Sequence, residues 1–382
     1  MNRNLSTSET TPRAMGWSMP AEWDQHEATW LAWPHHATDW PGKLNCIRWV
    51  YGEMTRKIVP GETVRLLVES EPQEKAAQSI LRRAGADLER IEFLRWPTNR
   101  GWMRDSGPVF VKRMRSGEDQ AAGPAALEDG RKDGHSPGAV DKAVVHFHFN
   151  AWARYPDWQK DRQNPERAAR HLGCRLFRAE AGGGDFVLEG GSIDVNGRGT
   201  VLTTEECLLD TVIQARNRGL GKAEIEAALK EFLGVNQVLW LGGGIVGDDT
   251  HGHVDDICRF VNPTTVVYCD ERNPRDANYR PLAENRERLE GMRLEDGSKL
   301  QAIPLPLPAP LYYDGARLPA SYANFYIANA AVLVPTFNDP NDRIALGILA
   351  DLFKDRPVVG IHAVDLVLGY GTLHCLTQQE PV

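Results

Sequence analysis

Residues Glu62–Leu94 read ETVRLLVESEPQEKAAQSILRRAGADLERIEFL, and this stretch decides the fold class. Glu62–Glu69 is a short apolar run suited to a buried strand. Glu74–Gly85 reads as a helix that stops at glycine, the residue that most easily takes the left-handed conformation ending helices. Ile91–Leu94 returns to strand. Working outward, Ile47–Val59 reads as a helix, and Met19–Pro34 (MPAEWDQHEATWLAWP) ends in an apolar, aromatic run suited to a strand. The same rhythm recurs at Thr200–Thr203, then a helix over Lys222–Phe232, then the strand Gln237–Leu241. Thr264–Tyr268, Ala331–Val334 and Pro357–Gly360 also read as short buried strands. Strands interleaved with helices throughout predict an α/β protein.

The chain has 382 residues, 42% hydrophobic and 25% charged, which excludes a disordered or fibrous polymer. Lys plus Arg number 44 against 52 Asp plus Glu, a net charge of -8, which argues against a nucleic-acid partner and suits a cationic small substrate. No apolar run approaches the roughly 20 residues of a membrane span. Residues 1–16 (MNRNLSTSETTPRAMG) are polar and lack the apolar stretch of a signal peptide, so they are expected to be a loose tail on a cytoplasmic protein. Residues 17–382 are expected to form one catalytic domain. Within it, residues 113–139 are too poor in large apolar side chains to offset their ordering entropy, and read as a surface insertion between the strands Pro108–Val111 and Ala143–Phe149. Six cysteines carry no CxxC pair, as expected of reduced thiols.

Four polar, Gly-rich stretches interrupt the apolar pattern, at the strand ends where catalytic loops usually sit. They are Trp102–Pro108 (WMRDSGP), Leu188–Ile193 (LEGGSI), Gly247–Asp256 (GDDTHGHVDD) and Gly369–Gln379 (GYGTLHCLTQQ). In the third, His251, His253 and Asp255 alternate and would share one face of an extended chain. Thr-His-Gly-His-Val-Asp-Asp is one residue from the THxHxDH pattern of zinc hydrolases, so a metal site on these three residues is one reading and a solvated loop another. In the fourth, Cys375 has polar neighbours unlike those of a core cysteine such as Cys269, and suits a nucleophile with His253 as acid/base. His374 is expected to face the other side of a strand. Asp105 and Glu189 read either as turn-stabilising acids or, with Asp255, as three carboxylates around one cysteine. Such a site would grip a planar guanidinium by charge-assisted hydrogen bonds. Cofactor motifs are missing: the glycines of Gly242-Gly-Gly-Ile-Val-Gly247 are crowded wrongly for a dinucleotide loop.

With these residues in view, the sequence resembles the agmatine deiminase branch of the peptidylarginine-deiminase-related enzymes, from about Met19 to Gln379. The motifs that carry the resemblance are MPAEWDQHEATWLAWP, WMRDSGP, FNAWARYP, LEGGSIDVNGRGTVLTTEECLL, THGHVDD, PASYANFYIANAAVLVPTFNDPND and HCLTQQ. The resemblance implies a pentein fold, five ββαβ-type units arranged pseudosymmetrically around a central site. It implies Cys375 as nucleophile, His253 as acid/base, Asp105 and Asp255 as guanidinium carboxylates, and Glu189 as the acid that tunes the histidine. Trp102 and Thr250 would line the channel for the aliphatic chain. The family uses no metal or cofactor, and its members self-associate, so a homo-oligomer is expected.

Two departures bear on the substrate. Tyr370 and Thr372 interrupt the usual GGGNIHC, and His251 stands where many members carry Asp, an acid that could receive the distal amine. Agmatine hydrolysis to N-carbamoylputrescine and ammonia is the implied reaction. Deimination of arginine, peptidyl arginine or another guanidine is the alternative, with Arg100, Arg104 or Arg154 available for a substrate carboxylate. Zinc-dependent hydrolysis at His251, His253 and Asp255 is the alternative from another class.

Overall fold

A computed structural model describes residues 11–114 and 140–382. Its five larger sheets repeat one plan, in which an antiparallel strand pair is followed by a helix and a third, parallel strand. The first such unit pairs Val109–Met114 with Val140–His146, crosses through the helix Asn164–Leu172, and adds Arg175–Arg178. The second uses Asp194–Val195, Thr200–Thr204, Lys222–Leu233 and Gln237–Leu241. The third uses Cys258–Asn262, Thr265–Asp270, Tyr279–Gly291 and Gln301–Pro306. The fourth uses Tyr326–Ile327, Val332–Thr336, Pro340–Leu352 and Val358–His362.

The fifth unit joins distant parts of the chain. Gln378–Pro381 pairs antiparallel with His26–Ala32, the helix Leu44–Ile58 follows, and Thr63–Leu67 adds in parallel. The opening β-α-β stretch extends this sheet with Ile91–Leu94, reached through the helix Glu71–Ala84. Glu380 anchors the seam: Trp30 Nε1 and Arg65 Nε each donate to its Oε2 at 2.8 Å, and Lys142 Nζ reaches Oε1 at 2.5 Å. The pentein architecture expected from the resemblance is present.

Helices bury one stripe each, as their spacing requires. On Leu44–Ile58 the buried apolar residues Ile47, Tyr51, Met54 and Ile58 recur every three or four positions. Central strands bury both faces, which is why they read as continuous apolar runs: Val332, Leu333 and Val334 are all inaccessible to solvent. None of the described helices is long and apolar enough to cross a membrane.

Two expectations change at the edges. Residues 11–16, expected as loose tail, are packed: Arg13–Met15 forms a turn of 3-10 helix, Thr11 Oγ1 donates to Glu231 Oε2 at 2.8 Å, and Arg13 Nη1 donates to the Val235 carbonyl at 2.6 Å. Of the expected insertion, Arg113 and Met114 belong to the strand Val109–Met114, while 115–139 lie outside the described residues.

Candidate active site

Just before its first strand, each unit makes a short polar turn toward the common centre. Met103–Ser106 carries Asp105 ahead of Val109–Met114, and Gly190–Ser192 follows Glu189 ahead of Asp194–Val195. Val254–Asp256 carries Asp255 and follows His253 ahead of Cys258–Asn262, and Leu373–Leu376 carries Cys375 ahead of Gln378–Pro381. In the fourth unit, Asn324 occupies the equivalent place ahead of Tyr326–Ile327. Each unit thereby contributes one group or more, and four loops read separately in the sequence meet as one site.

The Asp255 carboxylate lies between cysteine and histidine. Cys375 Sγ is 3.7 Å from its Oδ2, and His253 Nδ1 is 4.0 Å from its Oδ1. His253 Nδ1 is also 3.8 Å from Asp105 Oδ1, and Nε2 is 3.6 Å from Glu189 Oε2. Asp105 is fixed by Trp152 Nε1, which donates to Oδ2 at 2.8 Å, and by the Gly191 amide, which donates to Oδ1 at 3.0 Å. Glycine at 191 is needed for space: an added Cβ would lie 2.6 Å from His253 Nδ1, 2.9 Å from Asp105 Oδ1 and 3.1 Å from Asp255 Oδ2.

Charges around the site assign protonation states. Burial opposes an imidazolium at His253, but Asp105, Cys207 and Glu189 outweigh it and hold the ring well above its ordinary range. Burial, with Asp255, Asp256 and Asp105 nearby, pushes the Cys375 thiol up. The resting pair is therefore neutral thiol and charged imidazole. Burial would raise Glu189, yet the Arg216 guanidinium, with His253, draws its pKa down to about 2. Burial pushes Asp105 up to about 6 against the pull of His253. Asp255 stays low despite burial because His374 hydrogen-bonds it, and burial plus Asp255 and Asp248 push Asp256 well up.

Above these groups opens a cavity of about 200 Å³, lined at one end by Asp105, Trp152 and Cys375. Trp102 and Thr250 line it, and the Thr250 hydroxyl donates to Asp248 Oδ1 at 2.5 Å. Tyr370 lines it too, with φ of 64°, so tyrosine is held in the left-handed conformation that glycine adopts freely. Thr372 is buried and donates to Asn324 Oδ1 at 2.8 Å.

Other expectations are corrected. His251 does not line the cavity. At φ 64° its ring turns away, with Nε2 3.2 Å from Asp210 and Nδ1 3.7 Å from Glu206. The left-handed residue and the 3-10 turn after it break the alternation that an extended chain would give. His251, His253 and Asp255 therefore do not converge as three metal ligands. The three-residue groups with metal-ligand spacing among the described residues are Glu189, Cys207, His253 and Asp255, Asp256, Cys375. His374 lies on a helical turn rather than a strand, with Nδ1 2.6 Å from Asp255 Oδ2 and Nε2 2.7 Å from Glu22 Oε2. Arg104 is interior, donating to Gln379 at 2.7 Å and Glu22 at 3.2 Å, so it is not available to a substrate.

Several site residues carried no local sequence signal. Arg216 Nε approaches both oxygens of Glu189, at 3.3 and 3.4 Å, and its Nη2 donates to the Thr250 carbonyl. Asn324 Nδ2 bridges Cys375 Sγ at 3.1 Å and Asp256 Oδ1 at 3.0 Å. Glu22 is shared by His374, Arg104 and Arg259 beneath the site.

Comparisons with known proteins place the whole chain in a family. The profile of the Porphyromonas-type peptidyl-arginine deiminase family matches residues 18–381. The agmatine deiminase of Pseudomonas fluorescens is 34% identical over 400 residues, covering 99% of each chain. The structure of the agmatine deiminase of Enterococcus faecalis superposes with a TM-score of 0.82 at 30% identity, covering 100% of this chain and 99% of that one. A Campylobacter jejuni agmatine deiminase with a cysteine replaced by serine and substrate bound gives 0.78 at 28% identity, covering 95% and 96%. With 364 residues matched to that profile and close structural similarity along the whole chain, this protein belongs to the Porphyromonas-type peptidyl-arginine deiminase family.

Proposed function

We propose that this protein is a guanidine deiminase whose substrate is agmatine, hydrolysed to N-carbamoylputrescine and ammonia through a covalent cysteine intermediate. The observation that carries the reading is the placement of the Cys375 thiol and the His253 imidazolium on either side of Asp255, with Asp105 completing a carboxylate pair at the buried end of the cavity.

The substrate's guanidinium sits between Asp105 and Asp255, which neutralise its charge and orient its plane. Its arrival changes the thiol. A unit positive charge about 4 Å from sulfur, at an effective dielectric near 20, is worth about 4 kcal/mol, or roughly three pKa units. That is enough to offset much of the upward push from burial and the surrounding acids, so ionisation of Cys375 is coupled to substrate binding. The thiol proton leaves through water, and the thiolate attacks the central guanidinium carbon. His253, already protonated, gives its proton to the departing nitrogen, which leaves as ammonia, and an amidino-thioether remains on Cys375. Neutral His253 then takes a proton from a water molecule as that water attacks the same carbon. Collapse of the adduct expels the Cys375 thiolate and releases the urea product. Glu189, kept ionised by Arg216, stabilises the imidazolium at both of these steps.

The partner in this reading is a small cationic guanidine, with neither nucleic acid nor membrane involved. All six cysteines are free, in keeping with a reducing cytoplasm, and self-association into a homo-oligomer belongs to the same reading. The test is ammonia release from agmatine, arginine and simple alkylguanidines, in excess EDTA, by wild type and Cys375→Ala. Agmatine turnover that ignores EDTA and vanishes in the variant is the expected result. Turnover that survives the substitution but is lost with EDTA would overturn the cysteine mechanism.

A further inference from the structure

The wall of the cavity away from Cys375 carries charges that the hydrolysis does not use. The two ends are joined by Trp102. A Cβ on Gly371 would meet the Trp102 ring at 2.9 Å and Cys375 Sγ at 3.0 Å, while one on Gly369 would meet Trp102 at 2.8 Å and Trp40 Nε1 at 2.7 Å. The Trp102 and Trp40 rings are 5.3 Å apart, and Trp40 is the chain neighbour of Asp39, which also lines the cavity. An alkyl chain lying along Trp102 from the cysteine would therefore run toward Asp39.

Asp39 is an unusual acid. Its side chain is only 2% exposed. Oδ1 is held by Arg100 Nη1 and lies 3.3 Å from His36 Nδ1, but Oδ2 is buried with no hydrogen-bond partner. A buried carboxylate oxygen left in this state is costly and rare, which marks it as the place for a donor from outside the protein. The other acid of this wall, Asp249, is occupied: Tyr155 Oη donates to Oδ2 at 2.6 Å, and Arg154 Nη2 is 3.1 Å from Oδ1. Arg100, the cation a substrate carboxylate would need, is largely committed. Its Nη1 serves Asp39, its Nη2 is 3.3 Å from Asp157, and its plane lies over the Tyr155 ring at 4.5 Å, while Nε is the guanidinium nitrogen with no hydrogen-bond partner. A carboxylate approaching Arg100 would also meet the charge on Asp39, which Arg100 already holds.

Building on the deiminase reading above, we infer that Asp39 Oδ2 accepts the distal ammonium of the substrate and is the residue that selects an ω-aminoalkylguanidine over guanidines ending in a methyl group or a carboxylate. This moves recognition of the distal amine from position 251, where the sequence pointed, to position 39.

The test compares agmatine with butylguanidine, which has the same guanidinium and a four-carbon tail with no charge. Steady-state kinetics are measured on wild type and Asp39→Asn, with arginine as a third substrate. Loss of one charge-assisted hydrogen bond should lower kcat/KM for agmatine between about tenfold and a hundredfold. The fall for butylguanidine should be at least ten times smaller, and its turnover by the variant reports that the site is folded. Arginine should gain relative to agmatine, because the repelling charge is gone. Equal falls for agmatine and butylguanidine, or a preference for agmatine undiminished in the variant, would overturn the role of Asp39 while leaving the deiminase reading intact. A wild type that turns over none of the three would overturn both.

Discussion

Replacing Gly191 with alanine tests whether the observed spacing of the catalytic groups is the working one. The new methyl would lie 2.6 Å from His253 Nδ1, and ordinary contacts begin near 3.4 Å, so the imidazole must retreat by about 0.8 Å or the turn Gly190–Ser192 must shift as much. Asp105 and Asp255 must yield by a few tenths of an ångström as well, since their oxygens would stand at 2.9 and 3.1 Å. Backbone strain does not enter, because Gly191 is absent from the positive-φ positions. A misplacement near 1 Å typically costs a factor of about 10² in rate, so kcat for agmatine should fall by that order. Overpacking should cost about 1–3 kcal/mol of stability. The assay is initial-rate ammonia release with thermal melting in parallel. Gly347→Ala serves as the control: it lies in the helix Pro340–Leu352 with open space where its Cβ would go, and should leave the rate alone while gaining about 0.5–1 kcal/mol. A Gly191→Ala enzyme within threefold of wild type would refute the geometry.

Two further outcomes follow from the charges. Burial raises Asp105 to about 6, and a neutral carboxyl cannot hold the guanidinium, so kcat/KM for agmatine should rise with pH through about 6 before levelling; a flat profile between pH 5 and 7 would contradict this. Glu189→Gln should destabilise by about 3–5 kcal/mol near neutrality by leaving buried Arg216 unpaired. Because the Glu189 pKa is drawn down to about 2, its contribution is complete above the ordinary carboxylate range and is lost as pH falls through about 2. Denaturant melts of the two proteins should accordingly converge on acidification, and a gap that widens would count against the pairing.

Much of this site could be read before any fold was known, and the failures have physical causes. Cys375, Asp105 and Glu189 stood out because polar, Gly-rich loops contrast with the apolar strands beside them. Arg216 and Asn324 gave no such contrast. Arg216 acquires its role from Glu189, 27 positions earlier, and Asn324 from Cys375, 51 positions later. Glu22, Arg259 and Arg104 form buried pairs across 80 residues and more, a separation at which charges leave no periodic trace. His251 misled because alternation presumes an extended chain, and one positive φ cancels that premise. The repeat itself carries a signal: a site residue stands shortly before the first strand of each of the other four units, and the corresponding turn of the fourth holds Asn324.

The seam between Gln378–Pro381 and His26–Ala32 also sets an order of events during synthesis. The nucleophile and the strand that seals the ring emerge from the ribosome after the other four units, and Glu380 must find Trp30 some 350 residues upstream. A growing chain can therefore complete the other units' turns while still lacking Cys375, so it is chemically silent until the ring shuts. Closure over so long a loop is slow compared with hairpins or single helices. The onset of guanidine hydrolysis in a translation reaction should thus lag the appearance of full-length polypeptide, making enzymatic activity itself a clock for ring closure.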